Sequence, residues 1–129
     1  THFIQNAMVE ALNGDQTGSI EILNKLRDRR DAAVKGLNAI DGIDISAPRT
    51  TFYLFPNVTT VMNRKGMQSV EELQSGALTK ANVSFCTRDH FGRAQNDEIN
   101  YYIRLAYSGI STDNIAEGLA NLKNYFEEK

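Results

Sequence analysis

Apolar residues recur at helical spacing from the first turn of the chain. Phe3, Ala7 and Ala11 stand at i, i+4 and i+8, and Ile4, Met8 and Leu12 repeat the pattern one residue later. The spacing predicts an opening helix that stops near Asn13-Gly14, a helix-ending pair. Ser19 is then placed to cap a long helix whose stripe runs through Ile20, Leu23, Leu26, Ala33, Val34, Leu37 and Ile40 as far as Gly42. Ile43 to Ser46 alternates apolar and polar like a short strand, and Pro48 breaks it. Phe52-Tyr53-Leu54-Phe55, closed by Pro56-Asn57, is aromatic-rich and suits a strand better than a helix. Asn63 to Gly66 reads as a turn, and Ser69 followed by Glu72 is a capping box that opens a helix to about Ala81. Val83 to Cys86 looks like a further strand and Thr87 to Glu98 like a polar loop. Tyr101 to Tyr107 is strand-like, and a last helix carries Ile115, Leu119, Leu122 and Phe126 on one face.

This order predicts an α/β or α+β domain, a sheet of about four strands covered by helices. With 129 residues the chain makes one ordinary domain, 1–129, rather than two. Hydrophobic residues at 41% and charged residues at 23% place it among globular chains. A formal charge of −2 argues against a nucleic-acid or anionic-membrane binder, and no apolar run reaches the length of a membrane span. The lone cysteine, Cys86, excludes an intramolecular disulfide framework and fits a reducing, cytoplasmic compartment. Thr1 is not an initiator and the first helical stripe is already running where the sequence starts. The expectation is a fragment of something longer, with a processed start as the alternative.

The residue with most chemistry to offer is Arg104. Period-two alternation sets Tyr101, Ile103, Leu105 and Tyr107 on one face of their strand and Tyr102, Arg104 and Ala106 on the other. An arginine there either faces water or is held against an anion, because an unpaired buried charge is costly. A carboxylate received in the planar guanidinium fork is the anion this side chain serves best. Cys86, Asp89 and His90 are close in sequence but lack the converging ligands a metal site needs. Two histidines assemble no nucleophilic triad, and no phosphate-binding or dinucleotide glycine motif is present.

Several segments in fixed order carry a family resemblance: Ala11-Leu12-Asn13-Gly14, Arg29-Arg30-Asp31, Gly42, Pro48, Phe52-Tyr53-Leu54-Phe55-Pro56 and Phe91-Gly92. Tyr102-Ile103-Arg104-Leu105-Ala106-Tyr107 and Ile115-Ala116-Glu117-Gly118-Leu119 complete the set. Together they resemble the C-terminal part of a fold-type I, pyridoxal-phosphate-dependent class I/II aminotransferase of the aspartate aminotransferase group. The resemblance implies a small C-terminal domain whose parent transfers an amino group from an amino acid to a 2-oxo acid. It implies that Arg104 binds the substrate α-carboxylate and that the parent is a homodimer. Phe52 would lie near the substrate entrance, or else serve as a core aromatic. Arg29 and Arg30 match a helix motif that is structural or at a domain junction, or else form a solvated face.

The family's Schiff-base lysine lies upstream of the matched region, on a large domain absent from this chain. Lys25, Lys35, Lys65, Lys80, Lys123 and Lys129 each read as surface lysines instead. The fragment alone is therefore expected to be inactive, with pyridoxal phosphate bound by the full-length parent and not covalently here. Two loops depart from the family pattern: Cys86-Thr87-Arg88-Asp89-His90, where relatives commonly carry Pro-Gly, and Arg49-Thr50-Thr51, where they often carry a glycine. Arg88 is either an exposed loop arginine or a second carboxylate contact for a dicarboxylate substrate. The rival readings are a lyase, decarboxylase or synthase of the same fold, and a non-catalytic α/β binding module.

Overall fold

A computed structural model describes residues 1–92 and 97–128. Lys129 and part of the loop expected over 87–98 lie outside the described residues. Helix α1 (His2–Asn13) forms as expected and ends at Gly14, whose N–H donates to the Glu10 carbonyl at 2.8 Å. It buries none of its residues, and Phe3 and Leu12 remain 73% and 74% exposed.

Helix α2 (Thr17–Asn38) begins two residues before the expected Ser19 cap. The reason is Asp15, whose carboxylate accepts from the Thr17 N–H at 2.9 Å and the Thr17 hydroxyl at 2.6 Å. These bonds hold the Asp15 carboxyl below its ordinary value. The helix stops at Asn38, short of Gly42, and Ile40 is buried from the turn that follows. The expected strand at Ile43–Ser46 has no ladder partner among the described residues. The Asn38 side chain takes that place, accepting from the Ile45 N–H at 2.9 Å and donating to the Ile45 carbonyl at 3.0 Å.

The expected turn at 63–66 is the end of a short helix, α3 (Thr59–Lys65), which closes at Gly66 with φ +63°. Asn57 starts it, its Oδ1 accepting from the Thr59 N–H and hydroxyl at 2.9 and 2.6 Å. The β-branched run Val58 to Val61 obscures this helix in the sequence. Helix α4 (Val70–Ala81) follows the Ser69 cap as expected, with Ser69 Oγ accepting from the Glu72 N–H at 3.2 Å. Ser111 caps the last helix, α5 (Thr112–Glu127), by the same device at the same length.

The four-strand expectation does not hold. Among the described residues the sheet has two strands, β1 (Tyr53–Leu54) and β2 (Leu105–Ala106), paired antiparallel with Tyr53 opposite Ala106 and Leu54 opposite Leu105. Single bridges extend it: Asn57 with Tyr102 on one side and Cys86 with Arg104 on the other. The segment 101–107 is thus central, with 53–57 and Cys86 as flanks. Pro56 and the onset of α3 cut the first flank short, since proline cannot donate to a ladder.

One face of this sheet is core. Leu54, Val58, Phe85, Ile103 and Tyr107 are buried there with Leu37, Leu73, Leu122 and Phe126 of the helices. Helix α5 packs on α2 and α4 closely enough that glycine is needed at both contacts. A Cβ at Gly36 would stand 2.5 Å from Leu119 Cδ1, and one at Gly76 would crowd the Tyr125 hydroxyl at 1.9 Å.

Gly76→Ala is therefore expected to destabilise the fold by about 1–3 kcal/mol through overpacking, despite the better helix propensity of alanine. Gly18→Ala, where nothing lies within 4 Å of the new methyl, is expected to leave stability unchanged or raise it by up to about 1 kcal/mol. Denaturant titration of the two variants side by side checks both signs.

Candidate carboxylate site

Strand pairing determines what surrounds Arg104. The Arg104 N–H donates to the Cys86 carbonyl at 2.8 Å, and the Cys86 N–H returns the bond to Arg104 at 3.0 Å. On the other side, Ile103 N–H to Pro56 and Tyr107 N–H to Phe52 keep a single antiparallel register at 3.2 and 3.1 Å. That register sets Tyr53, Phe55, Tyr102, Arg104 and Cys86 on the face opposite the core. The alternation expected for residues 101–107 is observed: Ile103 is fully buried, Tyr107 is 4% exposed and Arg104 lies on the other face, half-buried.

The guanidinium is held on several sides. Its Cζ lies 4.3 Å from the centre of the Tyr53 ring and 4.8 Å from that of Phe91, within cation–π range of both. Its Nη2 stands 3.3 Å from Cys86 Sγ. No carboxylate pairs with Arg104 among the described residues. A half-buried cation on an aromatic bed with donors left over can receive a planar anion in a bidentate grip.

Phe52 lies just before β1, 38% exposed, and its ring meets Tyr53 at 4.5 Å between centroids. It is thus one ring removed from Arg104. Phe55 stacks on Tyr102 at 5.2 Å with planes 3° apart, extending the aromatic surface. Arg88 opens a 3₁₀ turn over Arg88–Phe91 and grips Glu98, with Nη2 at 2.7 Å and Nε at 3.0 Å from its carboxylate oxygens. Its Nη1 donates to the Gly92 carbonyl at 3.0 Å. The bonds to Glu98 push the Arg88 guanidinium upward from its ordinary value. Arg29 donates to the Ser108 carbonyl, and Arg30 bonds Asp31 at 2.7 Å, so both tie helix or loop rather than reach Arg104.

Sequence reasoning singles out Arg104 and Phe52 but not the other neighbours of the guanidinium. Tyr53 is hidden in an unbroken apolar run, and Phe91 reaches Arg104 only because its turn folds back. That turn is shaped by Thr87 and His90: the Thr87 N–H donates to His90 Nδ1 at 3.2 Å, and the Thr87 hydroxyl lies 3.1 Å from the same nitrogen. His90 is therefore used as a cap, and no group of metal-binding side chains occurs among the described residues. A cleft of about 510 Å³ elsewhere, bordered by Leu37, Leu54, Val83, Leu105 and Leu119, is not lined by Arg104, Phe52 or Arg88. No helix among the described residues is long and apolar enough to cross a membrane.

Thr51, beside Phe52, has φ +66°, an uncommon conformation for a β-branched residue. The Tyr107 hydroxyl holds it there, donating to the Thr51 carbonyl at 2.9 Å. Burial is the main cause that pushes the Tyr107 phenol above its ordinary value of 10.0, with Arg30 opposing. A phenol whose folded value is raised stabilises the fold fully below its unfolded value and loses that contribution as pH rises through the folded one. Stability is expected to fall above about pH 10, and less steeply in Tyr107→Phe. Denaturant midpoints measured from about pH 8 to 11 check this, and equal slopes for the two proteins would contradict it.

Known proteins share this arrangement of helices around a small sheet. No family model matches the chain. An aspartate aminotransferase of Bacillus sp. (strain YM-2) is 34% identical over 97 residues, covering 75% of this chain and 25% of that protein. A probable aspartate/prephenate aminotransferase of Aquifex aeolicus is 30% identical over 130 residues, covering 99% of this chain and 31% of the relative. The crystal structure of the aspartate aminotransferase from Rhizobium meliloti superposes with a TM-score of 0.76 at 29% identity, over 95% of this chain and 30% of that one. The chain thus spans about a quarter to a third of the length of the proteins it matches.

Proposed function

The chain belongs to the aspartate aminotransferase-like family of fold-type I aminotransferases, and from that premise we propose that it is the carboxylate-binding C-terminal domain of such an enzyme. The full-length protein, in this reading, moves an amino group from an amino acid to a 2-oxo acid. Arg104 receives the α-carboxylate that every such substrate carries. The observation that supports it is the state of this side chain: half-buried, bedded on Tyr53 and Phe91, and free of any carboxylate partner among the described residues. One fixed fork orients all substrates alike, which lowers the barrier by positioning rather than by bond-making. Phe52 borders the entrance through its contact with Tyr53. Arg88 makes a second contact, to a dicarboxylate substrate, only by exchanging Glu98 for it.

Pyridoxal phosphate is the cofactor of the proposed parent, where it serves as electron sink. The described residues do not fit it. A cofactor-holding lysine bonds the cofactor's aldehyde carbon, and no described lysine makes a hydrogen bond, ion pair or cation–π contact with Arg104, Tyr53, Phe91 or Cys86. Lys65 donates to the Tyr125 and Glu128 carbonyls, Lys80 pairs with Glu128, and Lys123 donates to the Ala39 carbonyl. No step involving the cofactor is therefore assigned to this chain, and the fragment by itself is inactive in this reading. The large domain supplies that chemistry, and the exposed stripe of Phe3, Met8 and Leu12 on α1 is the surface that meets it. The parent is proposed to be a homodimer.

In the full-length protein, Arg104→Lys is expected to lower kcat/KM roughly 10- to 100-fold for every amino donor, since a point charge replaces a charge-assisted fork. Steady-state kinetics with several amino acids and 2-oxo acids tests it. Unchanged kinetics would remove Arg104 from the site. Release of ammonia or CO2 without amino transfer would reassign the parent to a lyase or decarboxylase.

A further inference from the structure

We propose that Cys86 is a positioning residue for Arg104: its sulfur selects the edge of the guanidinium offered to a carboxylate. This rests on the assignment of Arg104 to carboxylate binding. Cys86 and Arg104 exchange both backbone hydrogen bonds, at 2.8 and 3.0 Å, so they form a directly opposed pair whose side chains rise from the same sheet face. Directly opposed residues of that kind are side-chain neighbours across the ladder. The thiol reaches the guanidinium at 3.3 Å, through Nη2.

The two aromatic rings and the sulfur constrain different motions. A ring near a guanidinium attracts the charge as a whole and leaves the plane free to turn above it. A single acceptor on one nitrogen stops that turning. Of the five N–H donors of an arginine, Cys86 engages one on Nη2, leaving those on Nε and Nη1 and the second on Nη2. Arg104 forms no other side-chain hydrogen bond among the described residues. Sulfur is a weak acceptor, and that weakness is an advantage at this position. It orients the cation without neutralising it, whereas a carboxylate at position 86 would compete with substrate. Residue 86 also lies in one of the segments where the chain departs from the family pattern.

The test uses the full-length protein with its cofactor, and 2-oxoglutarate as the probe. Cys86→Val, similar in volume and without an acceptor, is expected to raise KM about fivefold and leave kcat within about twofold. Cys86→Ser, which restores an acceptor, is expected to return KM to within about twofold of the starting protein. Independently of any variant at this position, saturating 2-oxoglutarate should slow alkylation of Cys86 by N-ethylmaleimide, followed by peptide mass mapping. That protection should vanish in Arg104→Ala. Wild-type KM in Cys86→Val, or alkylation indifferent to the probe while Arg104→Ala still abolishes its use, overturns the role of Cys86 and leaves Arg104 in place. An Arg104→Ala protein with unaltered KM overturns both. If Cys86→Val does not fold, Cys86→Ala supplies the acceptor-free protein to set against Cys86→Ser, with the same KM outcomes.

Discussion

A single charged side chain stands at the middle of a sheet whose other face is hydrophobic core, and the local architecture follows from that demand. Full burial of an unpaired guanidinium would cost several kcal/mol, and full exposure would let its long side chain wander. The structure takes an intermediate course. Arg104 stays half-buried, two aromatic rings offer their negative faces, and the backbone beneath is paired on both sides. Those pairings are few. Among the described residues two short strands and two bridges make up the sheet, and the helices stacked on its core face bury the other side.

Arg88 and Arg104 are held in different ways. Both lie near the 3₁₀ turn. Arg88 has its fork filled by Glu98 and a third nitrogen on the Gly92 carbonyl, and so closes the loop on itself. An exposed ion pair of this kind contributes little to stability, but the geometry it imposes keeps the turn that carries Phe91. Arg104 has a sulfur and two rings instead, contacts that confine a cation without cancelling its charge.

Local signals are legible in the sequence, and long-range ones are not. Ser69 with Glu72 marks the start of α4 because a cap depends on residues three apart. The stripe of Ile115, Leu119, Leu122 and Phe126 marks the buried face of α5 for the same reason. The alternation of residues 101–107 gives the side of the sheet on which Arg104 stands. What escapes such patterns requires partners distant in sequence. Ile43–Ser46 has strand-like alternation, yet a side chain from α2 satisfies it where a neighbouring strand is expected. Helix α3 is hidden because it begins in a run of β-branched residues, after a turn in which the Asn57 side chain accepts from the Thr59 N–H. Glu98, ten residues from Arg88, cannot be paired with it by periodicity.

The two ends of the molecule make unequal use of their apolar residues. Helix α5 buries Ile115, Leu119, Leu122, Tyr125 and Phe126, while α1 buries nothing, although both carry apolar residues at helical spacing. An isolated helix of 12 residues is marginal in water, because packing of its apolar face supplies most helical stability. The stripe on α1 therefore has a structural purpose that the packing among the described residues does not meet. Arg104 poses the same problem in electrostatic form, as a half-buried cation with no carboxylate partner among the described residues. Lys65, Lys80 and Lys123 are engaged with carbonyls and Glu128. An α1 stripe without a packing partner and a guanidinium without a carboxylate are separate features of the described residues, and in the reading proposed above a larger polypeptide answers both.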